Sequence, residues 1–254
     1  MRLENKIAAI TGAGNGIGKS AAKLFAREGA FVYILEVNEK YGSDTEAEII
    51  ADGGHAKFIK TDISDRNNVA ETFRQISAEK GRLDVLYNNA SVFWGTRDAD
   101  IEKLDLDVYE QIIRINQFGT VYCTHEAIPL LKVNGGSIIM TGSSCGVIGV
   151  PNCDSYSSSK GATISLTRAM AVEFGPSKIR TNCIAPAAIH TDMIYESDLN
   201  KDYFDEQKFL TSGTPLRRWG YAEDIANIAL FLASDESSYI NGAIIVADGG
   251  ITVS

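Results

Sequence analysis

Four glycines in seven residues, Gly12, Gly14, Gly16 and Gly18, interrupt the chain just after its first apolar run. The segment reads Thr11-Gly12-Ala13-Gly14-Asn15-Gly16-Ile17-Gly18, with a strand expected over 6–11 and an amphipathic helix behind it. Such a loop lets the backbone turn sharply and approach a ligand with no Cβ in the way. A helix that starts there offers unpaired N–H groups to an anion. Strand, glycine turn and helix together form the opening of a βαβ unit that cradles a pyrophosphate. The strict GxGxxG spacing is absent, and Gly12, Gly16 and Gly18 stand as GxxxGxG. Glu36 closes the second expected strand, where a carboxylate accepts hydrogen bonds from both hydroxyls of an adenosine ribose and repels a 2′-phosphate. Neither Asn15 nor Val37 offsets that charge, so the pattern points to NAD(H) over NADP(H).

The rest of the chain repeats this rhythm. Short, nearly continuous apolar runs over 6–11, 31–36, 56–61, 83–87, 137–141, 179–184 and 242–246 read as strands covered on both faces. Helical patterns separate them: Ile17, Ala21, Leu24 and Phe25 share one face, as do Val69, Phe73 and Ile76, and Ile225, Ile228, Ala229 and Leu232. The alternation predicts an α/β fold: one doubly wound, mostly parallel sheet of about seven strands with helices on both sides. No linker divides it, so residues 1–254 read as a single domain. One stretch, about 185–220, is too long for an ordinary connection and rich in acidic and aromatic residues such as Tyr203 and Phe204; it reads as a substrate lid.

Tyr156 and Lys160 are four apart in a segment, 156–174, that reads as helix, so they share a face. A free phenol with a pKa near 10 is a poor acid–base group at neutral pH, and a fixed cation beside it favours the phenolate. Ser143 lies 13 residues upstream, just past the fifth strand, where parallel sheets place their ligands.

Composition removes other classes. The net charge of −9 works against nucleic acid and anionic membrane. Cys123, Cys145, Cys153 and Cys183 form no CxxC pair and only three His are present, so no metal site is expected. No apolar run approaches a membrane span and no secretory signal leads the chain, which makes a cytoplasmic protein with reduced thiols the expectation.

Taken in order, TGxxxGIG at 11–18, Asn88-Asn89-Ala90, Asn116-Gln117-Phe118-Gly119, Ser143, Tyr156-Ser-Ser-Ser-Lys160 and Asp248-Gly249-Gly250 resemble the short-chain dehydrogenase/reductase family over essentially the whole chain. The resemblance implies a Rossmann-like sheet of order 3-2-1-4-5-6-7 and a nicotinamide cofactor. It implies Tyr156 as general acid/base, with Lys160 lowering its pKa and binding the nicotinamide ribose. Ser143 would orient the substrate oxygen, and Asn116 would help hold a relay water. The cofactor would lie along Gly12, Asn15, Gly16, Ile17, Gly18 and Glu36, with Asp62 and Ile63 flanking the adenine. Asn89 and Ala90 would line its channel, and Ile189 and Thr191 would meet the nicotinamide carboxamide. Ser91 and Ala187 stand where the family has glycine. A homotetramer or dimer is implied as well.

The activity expected is reversible hydride transfer between NAD(H) and a small neutral secondary alcohol or ketone. Two other readings stand beside it. One is a 3-oxoacyl-[acyl-carrier-protein] reductase, which an acidic chain suits poorly because the carrier is itself acidic. The other is a catalytically silent NAD-binding regulatory protein, against which Ser143, Tyr156 and Lys160 all stand.

Overall fold

In the computed structural model, which describes residues 1–196 and 206–254, seven strands form one all-parallel sheet of order β3-β2-β1-β4-β5-β6-β7. The strands are β1 (Ile7–Thr11), β2 (Phe31–Glu36), β3 (His55–Lys60), β4 (Val85–Asn88), β5 (Gly136–Thr141), β6 (Ile179–Pro186) and β7 (Ile244–Ala247). Each falls within two residues of its expected start. This is the doubly wound α/β fold and the strand order that the sequence implied.

The helices are α1 (Gly16–Arg27), α2 (Glu39–Ala51), α3 (Arg66–Lys80), α4 (Leu106–Ile113), α5 (Gly119–Leu131), α6 (Asp154–Phe174), the short turns α7 (Asp192–Glu196) and α8 (Glu206–Lys208), and α9 (Ala222–Ala233). They cover the sheet on two sides, and the side chains of each strand alternate between them. Along β2, Val32 and Ile34 join a core with Phe25 of α1 and Leu230 of α9. Tyr33 and Leu35 join the opposite core, with Phe73 of α3 and Leu131 of α5. Burial on both faces is why the strands read as unbroken apolar runs rather than alternating ones.

Parallel strands end together. Thr11, Glu36, Lys60, Asn88, Thr141 and Pro186 therefore lie on one rim, and the loops that leave them carry nearly every candidate site residue. The sheet reverses its winding between β1 and β4, the place where such sheets open a crevice. Of the expected lid, Asp198, Asp202, Tyr203, Phe204 and Asp205 lie outside the described residues. Among the described residues no helix is long and apolar enough to cross a membrane.

Candidate active site

The glycine loop is held from two directions. Thr11 Oγ1 accepts the amides of Asn89 and Ala90, both at 3.0 Å, and Asn89 Nδ2 donates to the carbonyls of Thr11 (3.2 Å) and Gly12 (3.3 Å). The loop is thus sewn to the segment after β4. Gly12 has φ +62, and a Cβ there would come within 2.9 Å of Ala90 Cα. Gly16, at φ +52, faces the Thr191 methyl, which brings the loop after β6 onto the same crevice. At Gly18 a Cβ would stand 2.1 Å from the Gly12 carbonyl, so the strand-to-helix turn closes only with glycine there. Asn15 caps α1 by accepting the Gly16 amide (2.7 Å), and its Nδ2 donates to Asp192 (2.7 Å).

Glu36 sits under this loop. Its carboxylate accepts the Gly14 amide at 3.1 Å and the Asn38 amide at 2.9 Å, one on each oxygen. Each carboxylate oxygen has a second acceptor direction left for a hydroxyl donor. A cradle that Cβ atoms would fill, a helix start above it and a carboxylate beside it fit the adenosine and pyrophosphate of a dinucleotide.

Asp62 and Ile63 part company. Asp62 is exposed on the rim beyond β3 and accepts the Ser64 amide and hydroxyl, while Asp65 caps α3. Ile63 is buried, and its side chain lies against Gly119 at the start of α5. Ile189 is buried and bridges to Gly220, and Thr191 Oγ1 donates to the Ile189 carbonyl. Ser91 and Ala187 have no positive φ, so a side chain at either position carries no backbone strain.

Ser143, Tyr156, Lys160 and Asn116 are all buried. Ser143 Oγ accepts the Cys145 amide at 3.2 Å. The ring of Phe93 lies 4.8 Å from that of Tyr156, centroid to centroid, and forms an apolar wall. Lys160 lies on the same face of α6, its Nζ 5.4 Å from the Tyr156 ring centre and donating to the Thr141 carbonyl at 2.9 Å. Burial dominates both groups: it pushes the phenol up and the Lys160 ammonium down to about 8. Of the groups acting on the phenol, Ser143 is the one that lowers its pKa.

Asn116 occupies a π-helical bulge, Arg114–Phe118, between α4 and α5. Such bulges recur at functional sites. Its side chain pairs with both the amide and the carbonyl of Val92 (2.8 and 2.9 Å) and reaches Ser159 Oγ at 3.2 Å. The Asn116 carbonyl accepts from Thr120 Oγ1 at 2.8 Å.

One functional residue has no signal in the sequence. Asp98 is 5% exposed, and its carboxylate accepts the amides of Ala99 (3.0 Å), Ser155 (3.1 Å) and Tyr156 (2.9 Å). It caps α6 from a loop 58 residues away, at the very residue whose side chain is the expected acid/base. Only its place in an Asp-rich loop, 98–107, marks it, and such loops are common.

The buried ammonium gives a pH-dependent stability. Lys160 has a folded pKa of about 8, below its unfolded value, so the unfolded chain binds more protons between the two. Wild-type stability therefore gains from this group as pH rises from 8 toward 10. Lys160→Met lacks the titration, and its stability advantage over wild type should narrow by about 2 kcal/mol between pH 7 and pH 10. Urea unfolding of both proteins at the two pH values measures it; a constant difference would show that the ammonium is not held at a depressed pKa.

Comparison with known proteins places the chain and its fold in one family. A family model described as enoyl-(acyl carrier protein) reductase matches residues 12–252. The chain is 39% identical to the uncharacterized oxidoreductase YxbG of Bacillus subtilis (strain 168), over 98% of this chain and 92% of that protein. It is 35% identical to the 3-oxoacyl-[acyl-carrier-protein] reductase FabG of Thermotoga maritima, over the whole of both chains. The crystal structure of levodione reductase superimposes with a TM-score of 0.93 at 28% identity, covering 100% of each chain.

Proposed function

Because this chain belongs to the short-chain dehydrogenase/reductase family of oxidoreductases, we propose that it moves a hydride reversibly between NAD(H) and a small, neutral secondary alcohol or ketone. The observation that carries this reading is the burial together of Ser143, Tyr156 and Lys160, with Lys160 one helical turn from Tyr156 and its Nζ 5.4 Å from the phenol ring centre.

When bound, the nicotinamide supplies the hydride donor or acceptor. The chain's own residues handle the proton and the oxygen. In the reductive direction Tyr156 Oη gives its proton to the carbonyl oxygen; in the oxidative direction it takes the hydroxyl proton back. Its raised pKa keeps it protonated at neutral pH, the state that reduction needs. Ser143 Oγ donates to the same oxygen and stabilises the charge that develops there. Lys160 holds positive charge beside the phenol and binds the nicotinamide ribose, and the Asn116 bulge holds the water through which the proton is replaced. Gly12, Asn15, Gly16, Ile17 and Gly18 take the pyrophosphate, Asp62 and Ile63 the adenine, Asn89 and Ala90 the channel wall, and Ile189 with Thr191 the carboxamide end. The excursion over about 185–220, whose residues 197–205 lie outside those described, would serve as the substrate lid of a single domain over 1–254. The protein works in the cytoplasm, as its four free thiols favour. It assembles as a dimer or tetramer, a reading supported by the apolar groove that Val121, Leu166, Met170 and Phe174 leave open between α5 and α6.

A second reading, reduction of a 3-oxoacyl thioester on an acyl carrier, is favoured by the full-length similarity to FabG and by the family model, whose description names an acyl-carrier-protein reductase. The −9 charge opposes it, since an acidic chain repels an acidic carrier. Absorbance at 340 nm separates the two. Turnover is expected with free alcohols, polyols or diketones, and Tyr156→Phe should lower kcat/KM by about 10²-fold or more while the cofactor still binds. A variant with near-normal turnover removes Tyr156 from the role, and turnover confined to carrier-linked thioesters selects the second reading.

Glu36 sets the cofactor. The wild-type protein should show at least about tenfold higher kcat/KM with NAD(H) than with NADP(H), and Glu36→Gln should remove most of that ratio by taking away the charge that repels a 2′-phosphate. Equal or better use of NADP(H) by the wild type would overturn the assignment.

A further inference from the structure

The segment that leaves β4 carries Phe93, the ring that walls Tyr156 at 4.8 Å, and over 91–101 it forms neither helix nor strand. Irregular loops of that kind open easily, and a wall that drifts selects nothing. Here the loop is fastened on both sides of the ring. On one side the Asn116 side chain accepts the Val92 amide (2.8 Å) and donates to the Val92 carbonyl (2.9 Å).

On the other side four hydrogen bonds lace residues 98–101 to the first residues of α6. Asp98 accepts the amides of Ser155 (3.1 Å) and Tyr156 (2.9 Å). The Ala99 carbonyl accepts the Asp154 amide (3.3 Å), and the Asp154 carboxylate accepts the Ile101 amide (2.9 Å). Between the two fastenings the chain turns back on itself. The Trp94 carbonyl accepts the amides of both Arg97 and Asp98 at 2.8 Å, and the Arg97 guanidinium lies 4.5 Å over the Trp94 ring.

Asp98 is the centre of the second fastening, and its two oxygens divide the task. Oδ1 accepts the amides of Ala99 and Ser155, while Oδ2 accepts that of Tyr156. One oxygen therefore ties the loop to the helix, and the other holds the backbone of the expected acid/base residue. A carboxylate, which only accepts, suits three amides; an Asn of the same shape would set an N–H donor against one of them.

Resting on the dehydrogenase reading of this site, we propose that Asp98 is a positioning residue that sets the gap between Phe93 and Tyr156, and through it which substrates the phenol reaches. Substrate carbon beside the reacting oxygen has to fit that gap. Phe93 thus decides selectivity, and Asp98 decides where Phe93 stands. Because it also holds the Tyr156 backbone, one buried carboxylate governs rate and selectivity together. The glycine cradle is held by other groups, Glu36, Thr45 and Asn89, so cofactor binding is separate from this fastening.

Asp98→Asn, Phe93→Leu and the double variant of the full-length protein test this. Backbone amide exchange needs no turnover: residues 92–101 and the amides of Ser155 and Tyr156 should exchange at least about tenfold faster in Asp98→Asn, while 160–170 keep their protection. NADH affinity, read by fluorescence, should stay within about twofold of wild type. With saturating NAD+, Asp98→Asn should lower kcat about tenfold and shift the ratio of kcat/KM for cyclohexanol over 2-butanol at least about threefold. In the Phe93→Leu background the same substitution should leave that ratio unchanged, because the wall through which it acts is gone. A residue that only stabilises α6 would lower Tm without moving the ratio. Asp154→Ala, which cuts only the tie to Ile101, should shift the ratio the same way by a smaller factor, and it serves if Asp98→Asn does not fold. If wild type turns over neither alcohol, the reading of the site fails for such substrates, and the exchange measurement still decides whether Asp98 ties loop to helix. Exchange that quickens in α6 alone, or a ratio shift that persists undiminished in the Phe93→Leu background, would overturn the proposal.

Discussion

The hydroxyl of Thr11 joins the two halves of this molecule. It sits at the last residue of β1 and accepts the amides of Asn89 and Ala90 at the point where the sheet reverses its winding. A crevice between two parallel strands would otherwise leave those amides exposed on its floor, and a buried amide without a partner costs about 1–3 kcal/mol. One hydroxyl satisfies both, and Asn89 returns the contact by donating to the carbonyls of Thr11 and Gly12. The glycine loop is therefore fixed at its root by the segment after β4 before any ligand arrives. Everything further along the rim, from Glu36 under the loop to Thr191 against Gly16, is placed relative to that seam.

This arrangement explains which parts of the protein were legible in the sequence. Strands buried on both faces must be apolar throughout, so their runs stood out, and each lies within two residues of its expected start. The glycine loop and the Tyr156–Lys160 spacing were legible because their chemistry is local, in a turn or on one helix face. The three long-range clamps were not. Asp98 reaches the Tyr156 amide across 58 residues, Asn116 reaches Val92 across 24, and Lys160 reaches the Thr141 carbonyl across 19. Each is a single polar side chain whose partner lies far off in the sequence. Only the fold reveals that its partner is a backbone group left over at the end of another element. The π-helical bulge that carries Asn116, Arg114–Phe118, is equally silent, since the extra residue in its turn leaves no mark on the sequence pattern.

Burial also changes the balance between Tyr156 and Lys160. In sequence they are a phenol and a cation one turn apart, and the cation should favour the phenolate. In the folded chain both are enclosed, desolvation opposes charge on either, and the ammonium spends its hydrogen bond on the Thr141 carbonyl. The protein alone thus holds a protonated phenol beside a weakened cation. Whatever raises the Lys160 charge lowers the cost of the phenolate, so an anionic or hydroxyl-rich ligand bound at that ammonium would couple ligand binding to acid strength.

Two buried side chains that can carry charge, Asp98 at the start of α6 and Lys160 further along it, each have backbone partners. Asp98 is held by three amides and Lys160 by a carbonyl, so both lean on backbone dipoles rather than forming an ion pair. An ion pair would have fixed each charge to its partner and left neither available to a ligand. Backbone partners do the opposite. The carboxylate stabilises the positive end of α6 and fixes the direction in which Tyr156 points, while the ammonium keeps donor capacity beyond its one carbonyl. Orientation and reactivity are thereby assigned to different residues along one helix, which lets the tyrosine be rigid while the charge beside it still responds to what binds.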